Sequence, residues 1–186
     1  EIFSKMVYPP SEHTTIAAVD GMADRSVLVD TFSKTYIMTG FRIGWAVANE
    51  ELITTMDIFQ QNSVTNVPAF VQLAALAAIT GPQDHVIEQR NRLQAKRDKV
   101  VAFLNELPGI ECPTPEGSFY VFPSIRDTGM TAQQFADYLV ESYGVGVVAG
   151  SAFGDRGEGH IRLTYAAPDD VLDEGLDRIK QAVENL

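Results

Sequence analysis

Two short apolar runs bracket a polar turn early in the chain, and that turn constrains the rest. Val27-Leu28-Val29 is the kind of run a buried strand uses, and Ile43 to Val47 is a second. Between them stand two cations, Lys34 and Arg42, eight residues apart. Thr31, Ser33 and Thr35 surround the lysine with hydroxyls. Gly40 stands just before the arginine, where a backbone without Cβ can approach a ligand or take a positive φ. A lysine at the mouth of a buried strand is partly desolvated. Desolvation and a nearby cation both favour the neutral amine, which is the nucleophilic form. Arg42 supplies that cation if the chain folds back, and its planar fork also suits a phosphate. Thr31 and Ser33 add hydroxyl donors for the same anion. The pattern reads as a Schiff-base lysine beside a phosphate cup.

Two plainer readings compete with it. For an arbitrary Lys/Arg pair, a solvated lysine and a surface arginine in an ion pair would suffice. Ser33-Lys34-Thr35 also echoes the end of the phosphate-loop motif G-x-x-x-x-G-K-[ST]. Leu28 and Ser33, however, occupy the positions where that motif needs glycine.

The stretch closely resembles the lysine motif of class I aminotransferases of the pyridoxal-phosphate fold type I family, in the aspartate-aminotransferase-like branch. The residues that carry the resemblance are Ser33-Lys34-Thr35-Tyr36 and Thr39-Gly40-Phe41-Arg42-Ile43-Gly44-Trp45, with the lysine-to-arginine spacing of eight. The resemblance implies that Lys34 forms the Schiff base with pyridoxal 5'-phosphate. It implies that Thr31, Ser33 and Arg42 hold the phosphate. Family members often carry an Asp-Glu-Ile-Tyr run, whose Asp pairs with the pyridine nitrogen and whose Tyr donates to the phenolic oxygen. Glu1-Ile2-Phe3 is similar to the end of that run, which places Phe3 where the tyrosine is expected. Phenylalanine has no hydroxyl to donate.

A net charge of −11 argues against nucleic acid or an anionic membrane as a partner, since both attract basic surface. No apolar run approaches the ~20 residues of a membrane span. The single cysteine, Cys112, excludes an internal disulfide and points with the missing signal peptide to a cytoplasmic setting. With 45% hydrophobic residues over 186 positions, the chain can build a core for one or two domains. The start at Glu1, without an initiator Met or a helix cap, suits a piece of a longer chain.

The remaining pattern alternates helices and strands. Asn49 caps a helix to about Gln60, and Ser63 to Asn66 belong to a polar loop. Pro68 opens FVQLAALAAIT, a helix apolar almost all round and therefore expected to be buried, which Gly81-Pro82 ends. Gln83 to Leu107 predicts a long helix with an apolar stripe at Val86, Leu93, Val100 and Leu104. Its cations, Arg97 among them, fall largely off that stripe. Strands are predicted at Ser118–Phe122, Val145–Val148 and His160–Tyr165. A helix capped by Thr131 buries Phe135, Tyr138 and Leu139, and a last helix after Pro168 carries Leu172, Leu176, Ile179 and Val183 on one face. Ala149 to Gly159 is a glycine-rich loop, read as flexible.

Arg162 lies in the apolar strand His160-Ile161-Arg162-Leu163-Thr164-Tyr165, where a charge must find a partner or a ligand. A structural ion pair is the plain reading. The resemblance implies another, because the family has a small-domain R-[LIV]-[ST] strand whose arginine binds the substrate α-carboxylate. The three histidines have no metal-ligand spacing among themselves or with Cys112, whose thiol has no base nearby.

The expected fold is α/β. By resemblance it is a fold type I pyridoxal-phosphate transferase: residues 1–82 the later part of the large domain, residues 83–186 the linking helix and a small α+β domain. The implied activity is amino transfer between an amino acid and a 2-oxo acid, with aspartate-like or aromatic and broad specificity. A homodimer is implied for the full-length protein, in which the Ser63 to Asn66 loop resembles one that reaches the partner's site. A lyase or decarboxylase on the same cofactor, or a non-catalytic fragment, are the alternatives.

Overall fold

The computed structural model describes residues 1–186 and divides them into two compact units, residues 1–90 and 91–186. No helix is long and apolar enough to cross a membrane.

In the first unit, β1 (Leu28–Thr31) pairs antiparallel with β2 (Gly44–Val47), Thr31 opposite Gly44. A Cβ on Gly44 would come 2.6 Å from the Asp30 carbonyl oxygen, so glycine is needed for the strands to close. The polar turn between them contains the one-turn helix α1 (Phe32–Thr35). Next come α2 (Glu50–Ser63), capped by the Asn49 side chain on the Leu52 amide at 2.9 Å, and α3 (Ala69–Thr80). Phe32 and Met38 of the turn are buried with Ala75 of α3, and Tyr36, Ile43, Ala74 and Ala78 pack around them.

Two expectations of burial fail here. In α3 only Val71 and Ala75 are buried, while Phe70, Leu73, Leu76 and Ile79 are exposed. In β1 Val29 is exposed, as are Val27 before it and Val47 across the ladder. Apolar side chains are buried only where another layer lies against them. Within this chain one face of α3 has such a layer, the lysine turn.

Helix α4 (Asp84–Asn105) crosses the boundary between the units. Sequence placed the boundary before this helix, at 82/83. Gln83, just before the helix, accepts from Tyr36 Oη at 3.2 Å, and the rings of Tyr36 and His85 lie 6.0 Å apart. Further along, Leu93, Arg97, Val100 and Leu104 are all buried. Arg97 lies on the apolar stripe, not off it. Its guanidinium reaches the Pro115 carbonyl at 3.0 Å and the Asp98 carboxylate at 2.7–2.8 Å, which satisfies the charge.

The second unit is an antiparallel sheet in the order β3-β5-β4, with β3 (Tyr120–Val121), β4 (Val148–Ala149) and β5 (Ile161–Thr164). Helix α5 (Ala132–Tyr143) starts with a capping box of Thr131 and Gln134 and buries Phe135 and Leu139. In α6 (Asp169–Glu184) Leu172, Leu176, Ile179 and Val183 are all buried. Asp169 meets Lys96 of α4 at 2.7 Å and Arg92 at 3.3 Å. The Lys96 hydrogen bond, chiefly, holds the Asp169 carboxyl below its ordinary range.

Candidate active site

The lysine turn is built by local hydrogen bonds. Thr31 ends β1 in extended conformation and caps α1, its Oγ1 accepting from the Ser33 amide at 3.1 Å. The same oxygen lies 2.9 Å from the Ile43 carbonyl and 2.9 Å from Ser33 Oγ. A hydroxyl has one proton, so Thr31 donates to one of these at a time. The Phe32 amide also reaches the Ile43 carbonyl, at 3.3 Å, which closes the turn at its base.

Lys34 is partly buried on α1, and its carbonyl accepts from Gln89 Nε2 of α4 at 3.4 Å. Arg42 is exposed and sits in the left-handed region, φ 53° and ψ 49°. Its Nη1 donates to the Thr39 carbonyl at 2.7 Å, which curls the side chain back over the turn. The positive φ expected at Gly40 therefore belongs to Arg42, and a Cβ on Gly40 would meet nothing within 4 Å. Arg42 borders an open groove of about 680 Å³, with Gly40, Phe41, Asn66 and Phe70 also on its wall.

The structure thus brings Thr31, Ser33, Lys34 and Arg42 into one turn between hydrogen-bonded strands. Phe3 is partly buried in a turn of its own, its carbonyl accepting from the Met6 amide at 2.8 Å. Ser4 Oγ beside it donates to Asp30 of β1 at 3.3 Å, so this segment runs along the strand that leads into the turn.

Arg162 belongs to the second unit, on the central strand opposite Val148. No carboxylate, carbonyl or hydroxyl of that unit accepts from its guanidinium, so the structural ion pair is absent. Its Cζ lies instead 4.6 Å from the Tyr120 ring centroid and 4.9 Å from that of Phe153. Sequence reasoning missed both rings. Tyr120 lies in the predicted strand Ser118–Phe122, and Phe153 in the loop read as flexible. The loop is pinned: the Gly150 amide donates to the His160 carbonyl at 2.8 Å. A Cβ on Gly150 would come 2.2 Å from the Gly157 carbonyl oxygen, and one on Gly157 would come 1.9 Å from that of Gly150. These glycines permit backbone contact, which fixes the loop.

Cys112 is buried, and burial pushes its thiol up to about 11, so it holds no thiolate at neutral pH. No group of three or more His, Cys, Asp or Glu is arranged to hold a metal ion.

Comparison with known proteins gives one family. Residues 1–179 match the family model described as aminotransferase class I and II. Over 185 residues the chain is 37% identical to the aspartate aminotransferase of Pyrococcus abyssi, covering 98% of this chain and 47% of that protein. It is 36% identical to aromatic-amino-acid aminotransferase 2 of Thermococcus litoralis, covering 99% and 48%. The crystal structure of the aromatic aminotransferase of Pyrococcus horikoshii superposes with a TM-score of 0.96 at 37% identity, over all of this chain and 50% of that one. The chain spans about half the length of the curated relatives it matches.

Proposed function

The chain belongs to the class I and II aminotransferases, and from that premise we propose that the complete protein is a pyridoxal-phosphate-dependent aminotransferase. It moves an amino group between an amino acid and a 2-oxo acid, with aspartate-like or aromatic and broad specificity. The single observation that carries this reading is the turn in which Lys34, two hydroxyls and Arg42 lie between paired strands.

The donor set suits a phosphate monoester. Arg42 has one N–H on the Thr39 carbonyl, and the rest of its five donors can meet a dianion. Ser33 Oγ lies within reach of Thr31 Oγ1, which leaves the Ser33 proton available when Thr31 is the donor. Thr31 shapes the turn as its cap, and a phosphate oxygen would compete for its one proton. Phe3 stands where a hydroxyl would meet the cofactor's phenolic oxygen and offers none.

When bound, the cofactor supplies an electron sink for bond breaking at the substrate Cα. Lys34 would hold the cofactor through its amine and, as general base, would take the proton from the substrate Cα. Arg162 would grip the α-carboxylate with two N–H donors, the fork geometry that suits a carboxylate. The amino acid and the 2-oxo acid are the partners. A homodimer in the cytoplasm completes the reading, with the 63–66 loop, exposed at Val64 and carrying Thr65 at φ 67°, directed to the partner subunit.

Product analysis of a single turnover with the complete holoenzyme tests the reaction class. Aminotransfer gives one equivalent of 2-oxo acid with the nitrogen retained on the cofactor. Free ammonia would indicate elimination, free CO₂ decarboxylation, and no product at all a non-catalytic role.

A further inference from the structure

A guanidinium on a central sheet strand normally pairs with a carboxylate, because burying an unpaired charge is costly. Arg162 does not. It is partly buried, and two aromatic rings lie at its Cζ. The ring quadrupole attracts a cation placed over it. A carboxylate partner would occupy the N–H edge, whereas a ring leaves that edge open.

Phe153 supports this view from another side. The residue is 53% exposed, so core packing does not explain it. Yet its position is fixed. The loop that carries it is closed by the Gly150–Gly157 contact, and its ring meets Phe122 edge-on at 5.9 Å. Phe122 is stacked in turn on His160 at 5.2 Å and 11°. Tyr120 is fixed by the ladder, opposite Thr164, and packs on the Phe119 ring at 4.6 Å. Below it the buried Tyr165 donates through Oη to the Ser118 carbonyl at 3.1 Å.

We propose that Tyr120 and Phe153 are positioning residues for Arg162: they seat the guanidinium by cation–π attraction and keep its hydrogen-bonding edge open for the substrate carboxylate. The inference rests on the reading of Arg162 as the carboxylate anchor. Because the rings support binding in ground state and transition state alike, their loss raises KM and leaves kcat.

The test uses the complete holoenzyme with Phe153→Leu, Phe153→Tyr, Tyr120→Leu and Arg162→Ala, together with mono-, di- and trifluorinated phenylalanine placed at 153. Fluorination removes the quadrupole stepwise and keeps the shape, so it reads the cation–π attraction even if a leucine variant fails to fold. The expected result is a KM for the amino acid raised about two- to thirtyfold in each leucine variant, the range that one such contact spans. Phe153→Tyr keeps the wild-type KM, KM climbs with each added fluorine, and kcat and cofactor affinity stay put. If Arg162→Ala raises KM while the leucine and fluorinated variants do not, the aromatic seat is wrong and the carboxylate anchor stands. If Arg162→Ala leaves KM unchanged, the anchor reading falls and takes the seat with it.

Discussion

The lysine turn and the Arg162 strand each carry a cation that we propose meets an anionic ligand, and they are built by opposite means. The turn is local. Thr31 to Gly44 contain every residue assigned to it except Phe3, and the hydrogen bonds that shape it run among Thr31, Ser33, Thr39, Arg42 and Ile43. The arginine strand is assembled from afar. Its two rings come from Tyr120 and Phe153, and the loop of the second is held by backbone contact between Gly150 and Gly157. A local site is robust to change elsewhere and fragile at its own residues. A distributed site can be weakened from several places, each by a little.

The comparison breaks first at Lys34. Lys34→Ala in the complete enzyme removes the proposed general base and should lower turnover by at least about 10²- to 10⁴-fold. Circular dichroism should remain that of the wild type, because a partly buried turn lysine adds little packing. Steady-state rates decide it, and near-normal turnover would end the assignment. Arg162→Ala comes next. Losing a charged, hydrogen-bonded contact to the carboxylate costs roughly 2–5 kcal/mol in substrate binding. Substrate titration should show that loss while cofactor titration does not.

A smaller effect is expected at Gly44, where the turn depends on close strand approach. Gly44→Ala drives a Cβ to 2.6 Å from the Asp30 oxygen and should cost about 1–3 kcal/mol of stability, as overpacking does. Denaturant unfolding of the complete protein measures it, and an unchanged midpoint would mean the strands can part without cost. The smallest effect is expected at Phe3. A tyrosine there would donate to the cofactor's phenolic oxygen and favour it when negative, so the spectral pH titration of Phe3→Tyr should shift to lower pH. The shift should be at most about one unit, equivalent to about 1.36 kcal/mol. An equal or higher midpoint would show that Phe3 does not face that oxygen.

The same contrast explains what could be read in the sequence. The lysine turn was legible because its residues are neighbours in the chain. Helix α6 was legible too: its four apolar positions share one stripe, and all four are buried. Helix α3 misled because apolarity all round carries no phase, and of its residues only Val71 and Ala75 are buried. Arg97 misled because charge was weighed above position. It stands four residues after Leu93 and three before Val100, on the buried stripe, where the Asp98 carboxylate and the distant Pro115 carbonyl meet its charge. Tyr120 and Phe153 left no signal at Arg162, since strand register and the glycine contact place them there.

The central claim is that Lys34 is the lysine that carries the cofactor. Borohydride reduction of the complete holoenzyme fixes the cofactor irreversibly to its amine, and peptide mass mapping then locates it. The account predicts the pyridoxyl mass on the peptide containing Ser33-Lys34-Thr35, on Lys34 itself. The same mass on another lysine, or none on any, would contradict it.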